Sequence, residues 1–487
     1  MRGVRQGLSM GIAVMAAAAL GLTGCPSGEA PPAASPSVSA APSPSRDYRP
    51  GAAGAGDEYF PTYGNGGYDV GAYTVKVRYD PRTDQLSGVT TVRAAATMDL
   101  ASFHLDLAGL TVSAVTVDGA PATHVREKNE LVITPASGLT SGNGFVAEVR
   151  YAGKPKTLRN AVLGEGGWLH TDEGAIALGQ PESASTWFPV NDHPSDKATY
   201  DFEITVPDGL TAVSNGVPGG KSSAGGWTTW KWAEKAPMAS YLSMVAIGKF
   251  RLTTGVHKGR PVWSAVTTSV PRGAADRSIA QTVRVADYLE SVFGPYPFDA
   301  YGGVVVSDPR IRYALETQSR PVYSAGFFRR GENTEVVAHE LAHQWFGNSV
   351  ALTEWQDIWL NEGLASYAEW LWNEHNGRGT AKQAFDVRYS GMPASVWSTP
   401  PGKPGVPNLF SRSVYERGAM TVHALRVAVG DPAFFEIVKT WAAQKRDGNA
   451  VTAEFVALAE KISDKQLDAL FDTWLYGTKR PARPAKL

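Results

Sequence analysis

The sequence predicts a multidomain protein of mixed α and β structure, in which an all-β domain precedes an α/β domain that ends in helices. Three observations support this fold class. The chain has 487 residues, which is too many for one domain and typical of about two to four. Apolar and polar residues alternate up to about Phe250. After Phe250, apolar residues recur with helical spacing instead.

Residues 58–252 are predicted to form the all-β domain, a saddle or sandwich of several sheets. Apolar side chains recur there at every second position, as in strands that are buried on one face. Clear examples lie at residues 73–79, 103–107 and 200–206. Pairs such as Asp118-Gly119 and Asp208-Gly209 separate these runs and predict turns.

Residues 253–487 are predicted to form the second domain. The spacing of apolar residues predicts an amphipathic helix over 278–293, closed by Gly294. A short apolar strand is predicted over 303–306. Together with the helices that follow, these elements indicate an α/β unit that passes into helices.

Two later helices have recognisable ends in the sequence. One is predicted to begin near Asn333 or Thr334 and to end at Gly347-Asn348, because glycine and asparagine favour the end of a helix. Another is predicted to begin at Ser463, where the residue order matches a capping box. Its apolar face contains Leu467, Leu470, Phe471, Trp474 and Leu475.

The first 25 residues have the features of a lipoprotein-type signal peptide. Arg2 and Arg5 give a positive start, and residues 8–22 are apolar but too short for a typical spanning helix. The run ends in Leu22-Thr23-Gly24-Cys25, which resembles a bacterial lipobox, and Cys25 is the only cysteine. We expect Cys25 to be lipidated after cleavage, which would anchor the secreted protein on the outer face of the cytoplasmic membrane. The alternatives are an ordinary signal peptide with an incidental Cys25, and an uncleaved anchor.

Residues 26–57 are predicted to be a disordered spacer. They consist mainly of proline, alanine, serine and glycine and contain almost no large apolar side chain. Such a segment cannot bury enough surface to become ordered. We expect it to hold the folded part away from the membrane.

The charge balance argues against a nucleic-acid partner. The chain has 46 basic and 47 acidic residues, for a formal net charge of −1. No basic run is present, and proteins that bind nucleic acid usually carry a basic surface. Membrane contact is therefore expected only through the lipid anchor.

The most informative motif is an H-E-x-x-H run that begins at His339 and ends at His343, with Glu362 nineteen residues later. On a helix, residues i and i+4 share a face, so both imidazoles can bind one ion. Zinc prefers nitrogen and oxygen donors, and catalytic zinc sites keep one of four positions open for water. The motif therefore predicts one zinc ion held by His339, His343 and Glu362, with Glu340 positioned to take a proton from that water.

The alternative for this motif is an exposed, charged helix face. The flanking residues argue against it, because Val337, Leu341 and Trp345 are apolar and indicate a mostly buried helix. Burying two histidines and a glutamate without a partner costs free energy. A metal ion is the usual partner, so the zinc interpretation is favoured.

With these motifs, the chain resembles the zinc aminopeptidases related to aminopeptidase N and leukotriene hydrolase, the gluzincin metallopeptidases. Besides H-E-x-x-H and Glu362, the resemblance rests on His343-Gln344-Trp345-Phe346-Gly347-Asn348 and Trp359-Leu360-Asn361-Glu362-Gly363. It covers about residues 58–477. It implies a thermolysin-like catalytic domain at 253–487. It also implies a short form of the family, without the large C-terminal helical domain of many members, so we expect an open site.

The resemblance implies roles for two residues near the zinc site. Tyr415 matches the family tyrosine that donates a hydrogen bond to the tetrahedral intermediate. Glu316 matches the glutamate that binds the α-amine of the substrate, although Tyr313 and Thr317 replace the usual glycine and asparagine of that run. The alternatives are a tyrosine packed in the core and a surface glutamate on a strand.

Gln180 and Glu182 resemble a Gln-x-Glu element that approaches the N-terminus of the substrate from the β domain.

The whole pattern implies a zinc-dependent aminopeptidase acting on peptides with a free N-terminus, with Glu340 as general base. One alternative is a zinc endopeptidase, or a hydrolase of the same fold that acts on a non-peptide substrate. Another is a catalytically inert binding protein anchored at the cell surface.

Overall fold

The structure, a computed structural model, describes residues 46–160 and 163–485. An all-β part extends to Gly248, and a mixed α/β part with most of the helices follows it. The predicted order of a β-rich domain and a mixed domain is thus confirmed. The predicted signal peptide with Cys25, and most of the predicted spacer, lie outside the described residues.

In the residues that the structure describes, the all-β part has seventeen strands in three sheets. The strands are β1 (Arg49–Pro50), β2 (Tyr68–Asp80), β3 (Gln85–Ala96), β4 (Leu100–Asp106), β5 (Thr111–Val117), β6 (Ala120–Pro121), β7 (Thr123–Glu127), β8 (Glu130–Thr134), β9 (Gly144–Gly153), β10 (Thr157–Asn160), β11 (Gly164–Thr171), β12 (Gly174–Leu178), β13 (Lys197–Pro207), β14 (Thr211–Ser214), β15 (Val217–Ala224), β16 (Trp227–Ala239) and β17 (Val245–Gly248). The sheet orders are β15-β16-β13-β2-β3-β9-β5-β6, β10-β11-β12-β17-β14 and β1-β4-β8-β7.

The core of this part follows the predicted alternation. In β2, Tyr73, Val75, Val77 and Tyr79 are buried, and the intervening residues are more exposed. Strand β13 repeats this pattern with Tyr200 and its alternate neighbours. The two strands pair in parallel at the centre of the eight-stranded sheet, so their apolar faces pack together.

The ordered part of the chain begins earlier than residue 58. Strand β1 lies within the predicted spacer and pairs in parallel with β4. Asp57 is buried, and its carboxylate accepts hydrogen bonds from the backbone N–H groups of Trp355 at 2.7 Å and Tyr59 at 2.7 Å. Composition alone predicted disorder here because the segment has few apolar side chains. The pairing of β1 with β4 and the buried carboxylate of Asp57 hold this segment in place instead.

The mixed part surrounds a second five-stranded sheet. Its strands are β18 (Phe250–His257), β19 (Arg260–Thr267), β20 (Tyr301–Val306), β21 (Ala314–Leu315) and β22 (Val322–Ser324), and a short parallel pair consists of β23 (Ala351–Leu352) and β24 (Asn449–Ala450). In the order β18-β19-β20-β22-β21, the three central strands are parallel and the two edge strands are antiparallel. Strand β21 is therefore a free edge.

Ten α-helices accompany this sheet in the described chain. They are α1 (Ala274–Ile279), α2 (Thr282–Phe293), α3 (Thr334–Ala342), α4 (Trp359–His375), α5 (Ala381–Gly391), α6 (Ala394–Ser398), α7 (Gly418–Val429), α8 (Asp431–Gln444), α9 (Thr452–Ser463) and α10 (Asp468–Phe471). Two π-helical turns, Ser413–Arg417 and Asp472–Tyr476, lead into α7 and follow α10. The helices of the described chain are too short or too polar to cross a bilayer.

The helix predicted over 278–293 is two helices, α1 and α2. The hydroxyl of Thr282 donates a hydrogen bond to the carbonyl of Ile279 at 2.7 Å. Threonine hydroxyls that bond to nearby carbonyls compete with helical hydrogen bonds, which accounts for a break at this point. The predicted end is confirmed, because Gly294 closes α2 with a positive φ of 94°.

The helix that carries the H-E-x-x-H run begins as predicted but ends earlier. The side chain of Asn333 caps it by accepting hydrogen bonds from the N–H groups of Glu335 and Val336. The helix ends at Ala342, and the chain then tightens, since the N–H of Gln344 bonds to the carbonyl of Leu341. The predicted end at Gly347 was therefore wrong by about one turn.

The predicted helix start at Ser463 was also wrong. Ser463 is the last residue of α9, and its hydroxyl donates back to the carbonyl of Ala459 at 2.7 Å. Asp464 then adopts a left-handed conformation with φ of 53°, which ends the helix. The next helix begins at Asp468. Most of its predicted apolar face is nevertheless buried, including Leu467 and Phe471.

Candidate active site

The H-E-x-x-H run and Glu362 meet where α3 packs against α4. The indole N–H of Trp372 on α4 donates to the hydroxyl of Thr334 on α3 at 3.0 Å and ties the two helices together. The Nε2 atoms of His339 and His343 lie 3.1 Å apart. The Oε2 atom of Glu362 lies 3.3 Å from the first of them and 3.4 Å from the second.

This triangle of donor atoms has the size that a zinc ion requires. Ligands about 2.1 Å from a tetrahedral ion are about 3.4 Å from one another. In addition, Oε2 of Glu362 is buried and accepts no hydrogen bond in the described chain. A buried carboxylate oxygen without a donor is costly, and a cation at the centre of the triangle removes that cost. His339, His343 and Glu362 therefore fit a zinc ion.

The outer nitrogen of each imidazole also has a partner. Nδ1 of His339 lies 2.7 Å from Oε1 of Glu369, and Nδ1 of His343 lies 3.0 Å from the carbonyl oxygen of Phe346. Such contacts fix the tautomer and the orientation of histidines that bind metal. Glu369 was not among the predicted site residues. It follows Glu362 by seven residues on one helix, and this two-turn spacing was a usable signal.

The two glutamates of the motifs have opposite proton affinities. Burial raises the pKa of Glu340 to about 8, although the charges of His339 and His343 act against the rise. Burial acts in the same direction on Glu362, but the positive charges of the two histidines beside it outweigh burial and lower that pKa to about 2. Glu340 therefore holds a proton readily, and Glu362 stays ionised.

Tyr415 reaches the site from the π-helical turn that precedes α7. Its ring stacks on the imidazole of His339, with centroids 5.9 Å apart and an interplanar angle of 18°. The turn comes close because Gly418 meets Gly363 of α4 backbone to backbone, so that a Cβ on Gly363 would lie 2.9 Å from the carbonyl carbon of Gly418. Burial, and then the carboxylates of Glu362 and its neighbours, raise the pKa of Tyr415 well above its usual value. The hydroxyl is thus a permanent donor.

Glu316 lies directly after the edge strand β21 and is buried. Its Oε1 atom accepts hydrogen bonds from the hydroxyl of Tyr241 at 3.1 Å and from Nε2 of Gln180 at 3.4 Å. Its backbone carbonyl accepts bonds from the side chains of Gln344 at 3.1 Å and Asn348 at 2.7 Å. Residues of both parts of the chain therefore fix this carboxylate.

Most of the predicted site residues share one cavity of about 390 Å³. It is lined by His339, Glu340, His343, Glu362, Tyr415, Glu316 and Gln180. Glu182 is not among the lining residues and borders a smaller adjoining cavity, where it accepts a hydrogen bond from the hydroxyl of Tyr63 at 2.8 Å. Burial, and then the charge of Asp192, raise the pKa of Glu182 to about 7. The roles predicted for Gln180 and Glu182 stay predictions.

Two family models match this chain. The peptidase M1 N-terminal domain matches residues 70–242, and the peptidase family M1 domain matches residues 281–474. The first match falls within the β-rich part, and the second contains the zinc-ligand triangle and Tyr415. Both parts of the fold thus match one family.

Curated relatives of similar sequence include plant, animal and bacterial aminopeptidases. Aminopeptidase M1-D of Oryza sativa subsp. japonica is 26% identical over 447 residues, which is 85% of this chain and 50% of the relative. Human glutamyl aminopeptidase is 27% identical over 389 residues, 72% of this chain and 39% of the relative. Aminopeptidase N of Lactococcus lactis subsp. lactis is 29% identical over 328 residues, 59% of this chain and 37% of the relative. The chain therefore spans half or less of these relatives.

Solved structures of similar fold match over almost their whole length. The M1 zinc metallopeptidase from Deinococcus radiodurans has a TM-score of 0.82 at 29% identity, covering 89% of this chain and 99% of that one. A mutant of it bound to a Tyr-Ser-Ala substrate gives a TM-score of 0.82 and covers 89% and 100%. A two-domain M1 zinc metallopeptidase mutant bound to L-arginine gives 0.81 at 28% identity, with coverage of 89% and 100%. In fold, site geometry and sequence, the chain belongs to the peptidase M1 family.

Proposed function

We propose that the chain is a zinc-dependent aminopeptidase that removes N-terminal residues from peptides. The observation that carries the proposal is the position of Glu316 beside the zinc-ligand triangle. Carboxylate oxygens of Glu316 and Glu340 and an imidazole nitrogen of His343 lie within 4.8 Å of one another. A peptide whose α-ammonium group pairs with Glu316 thus brings its first peptide bond to the triangle. The aminopeptidase names of the curated relatives support this proposal.

The residues of the site divide the chemistry among them. A bound zinc ion supplies Lewis acidity at the scissile carbonyl and lowers the pKa of water. Glu340 takes the proton of the attacking water and passes it to the leaving amine. Tyr415 donates a hydrogen bond to the negative charge that develops on the carbonyl oxygen.

The amine-binding residues set the register of cleavage. Glu316 is acidic and buried, and Gln180 and Tyr241 hold one of its oxygens in place. The α-ammonium group of a substrate makes a charge-assisted hydrogen bond with this carboxylate. Because a buried charge needs a partner, a peptide with a blocked N-terminus leaves Glu316 unpaired and binds poorly. Glu182 is the further candidate for this role.

The first test is a panel of aminoacyl anilides with a free amine, compared with the same compounds after N-acetylation. The protein is loaded with zinc, and one zinc per chain is confirmed beforehand. We expect hydrolysis of the free-amine compounds only, and their ranking identifies the preferred N-terminal residue. Hydrolysis of neither set by zinc-loaded protein would reject the aminopeptidase proposal.

The same panel distinguishes an endopeptidase of the same fold. An endopeptidase has no need of a carboxylate for the α-amine, so it would cleave both sets and keep its activity after Glu316→Ala. An aminopeptidase loses kcat/KM in that variant, chiefly through a higher KM, because the amine has lost its partner. The zinc content of the variant must equal that of the wild type.

We also propose that Cys25 carries a lipid that holds the mature protein on the outer face of the cytoplasmic membrane. The support is the run from Leu22 to Cys25 after a positive and apolar N-terminus. Cys25→Ser should move the protein from the membrane fraction to the soluble fraction, and mass spectrometry of the N-terminal peptide should lose the lipid mass. Unchanged membrane association would indicate an uncleaved anchor.

A further inference from the structure

A second cavity of about 540 Å³ adjoins the zinc-side cavity along the sheet edge. The two cavities share Arg312 and Phe327 in their walls, and we refer to the adjoining cavities together as the groove. The far cavity is lined by the chain before β21 and by the turn after β22, and Arg329 lies in its wall. None of the roles proposed above involves this far cavity.

The structure favours one chain direction for a peptide bound along strand β21. Among the described residues, no strand pairs with the outer side of β21, and such sheet edges bind extended peptides as an added strand. Beyond Glu316 the chain is closed, because Thr317 and Arg320 are fully buried and Arg320 donates to the carbonyl of Gly216 at 3.0 Å. A peptide that begins at Glu316 therefore runs back along the edge, antiparallel to it, toward Arg312.

The charge of the groove changes sign along this path. The zinc-side cavity is lined by the carboxylates of Glu316, Glu335, Glu340, Glu362 and Glu369. The far cavity has Arg312 and Arg329, and neither makes an ion pair within the described chain. The acidic residue in its wall, Asp308, is already paired with Arg310 at 2.6 Å. The groove is thus acidic at the amine end and basic at the other.

We propose that Arg312 and Arg329 form a subsite for a carboxylate on the leaving side of the scissile bond. The inference rests on the proposed function, because Glu316 must hold the amine. Guanidinium groups bind carboxylates with paired N–H donors. Arg312 lies four residues before Glu316, a span of at most about 14 Å, which is the length of about four extended residues. The carboxylate is the C-terminus of a short peptide of about three to five residues, or an acidic side chain at that distance.

The test compares tripeptides that carry the N-terminal residue preferred in the anilide panel, followed by Ala-Ala. One series has a free C-terminal acid and the other a C-terminal amide. We expect the wild type to show a kcat/KM about 10-fold higher for the acid, the effect of one charge-assisted hydrogen bond. In Arg312→Gln and Arg329→Gln the acid-to-amide ratio should fall toward one. Arg312→Lys should keep part of the preference.

Arg330→Gln is the matched control, because Arg330 is an exposed arginine next to Arg329 that lines neither cavity. It should keep the ratio of the wild type. A third series, amidated with Glu or Gln as the third residue, separates the two carboxylate sources. A preference for Glu in that series identifies a side-chain carboxylate as a ligand, and a preference confined to the free acids identifies the C-terminus.

Three outcomes overturn the subsite, and they can be told apart. If the wild type cleaves the free-amine anilides but hydrolyses peptide acids and peptide amides equally, the subsite is wrong and the aminopeptidase proposal stands. If zinc-loaded wild type cleaves neither anilides nor peptides, the proposed function fails and the subsite fails with it. An acid preference that survives in both glutamine variants would also overturn the assignment to these arginines.

Discussion

Glu340 and Glu362 are the same residue type in the same cavity, and their surroundings separate their proton affinities. Burial dominates at Glu340, whose pKa rises to about 8. Contacts with His339 and His343 dominate at Glu362, whose pKa falls to about 2. A pair of groups with diverging pKa values is a common sign of divided roles in catalysis. This difference in pKa indicates that Glu340 is the proton carrier and that Glu362 is an ionised metal ligand.

Replacing the proposed general base tests this division. Glu340→Gln keeps the size of the side chain but removes the proton acceptor. We expect unchanged zinc content and a fall in kcat of about 10²–10⁴-fold, the usual contribution of a general base. Zinc content is measured by elemental analysis and kcat with the best anilide. A variant with full activity would contradict the assignment.

Glu369 should affect metal affinity. Its carboxylate bonds to Nδ1 of His339 at 2.7 Å and so holds the imidazole in the orientation of a ligand. Glu369→Gln should weaken zinc binding about 10–100-fold, the range for such partners, measured by competition with a chelator. Glu374→Gln on the same helix is the control, because Glu374 pairs with Arg426 at 3.3 Å. Equal zinc affinity of both variants would exclude this role.

At the scale of the elements, the site depends on how closely α4 approaches the turn before α7. Gly363 follows the ligand Glu362, and Gly418 comes three residues after Tyr415. Each glycine faces the other with its Cα about 3.0 Å from where the partner's Cβ would be. A side chain at either position pushes the two elements apart. This contact explains why Tyr415 lies at the zinc-ligand triangle.

Gly363→Ala should therefore damage both stability and turnover. Overpacking of this kind costs about 1–3 kcal/mol, and the displaced Tyr415 should lower kcat more than KM changes. Thermal unfolding and anilide kinetics measure the two effects. Gly391→Ala is the control, since Gly391 ends α5 with nothing within 4 Å of an added Cβ. A variant at Gly363 that behaves like this control would show that the contact is not tight.

At the scale of the whole molecule, the β-rich part and the mixed part share buried polar contacts. Asp57 accepts the N–H of Trp355 at 2.7 Å and lies 3.3 Å from Nε2 of His193. Lys197 donates to the carbonyls of Asn348 at 2.9 Å and Ser349 at 2.8 Å. These contacts fix the β-rich part and the mixed part relative to each other, and Glu316 lies between them. The N-terminal segment is therefore a structural component of the site.

Asp57→Ala should lower the free energy of unfolding by about 3 kcal/mol, because bonds to a buried charged group contribute about 1.5–3 kcal/mol each. Denaturation of the mature protein measures the change. Asp47→Ala is the matched control, since Asp47 forms an exposed pair with Arg49 and such pairs contribute about 1 kcal/mol or less. Equal stabilities of the two variants would mean that the segment is only loosely attached.

Glu234 should make stability depend on pH. It is buried, and burial raises its pKa from 4.5 to about 7, although the charge of Arg320 acts against the rise. The folded chain then keeps a proton that the unfolded chain releases between pH 4.5 and pH 7. Across that interval the free energy of unfolding falls, by about 3 kcal/mol in total, and it stays low above pH 7.

The measurement compares the wild type with Glu234→Gln by chemical denaturation at several pH values. The glutamine variant cannot release this proton, so the wild type should lose stability relative to it as the pH rises through the interval. Below pH 4.5 the difference between the two should be constant. Parallel stability curves across the whole range would contradict the raised pKa.

Local spacing of residues was enough to predict several features of the fold and the site. The strands of the β-rich part were predicted because a period of two is visible in residues such as Tyr73 and Tyr200. His339 and His343 were predictable as a pair because helix geometry alone places i and i+4 on one face. The start of α3 at Asn333 and the end of α2 at Gly294 follow from local capping.

Features that depend on which elements meet could not be predicted from residue spacing, because they arise from tertiary packing. The end of α3 and the start of the helix after Ser463 differ from prediction because side chains and turns compete locally with helix hydrogen bonds, and residue preferences do not resolve that competition. The partners of Glu316, among them Tyr241 and Gln344, come from distant parts of the chain. The groove that passes Arg312 exists because β21 remains an unpaired edge. Contacts between residues far apart in sequence leave no periodic signal, and packing alone brings them together.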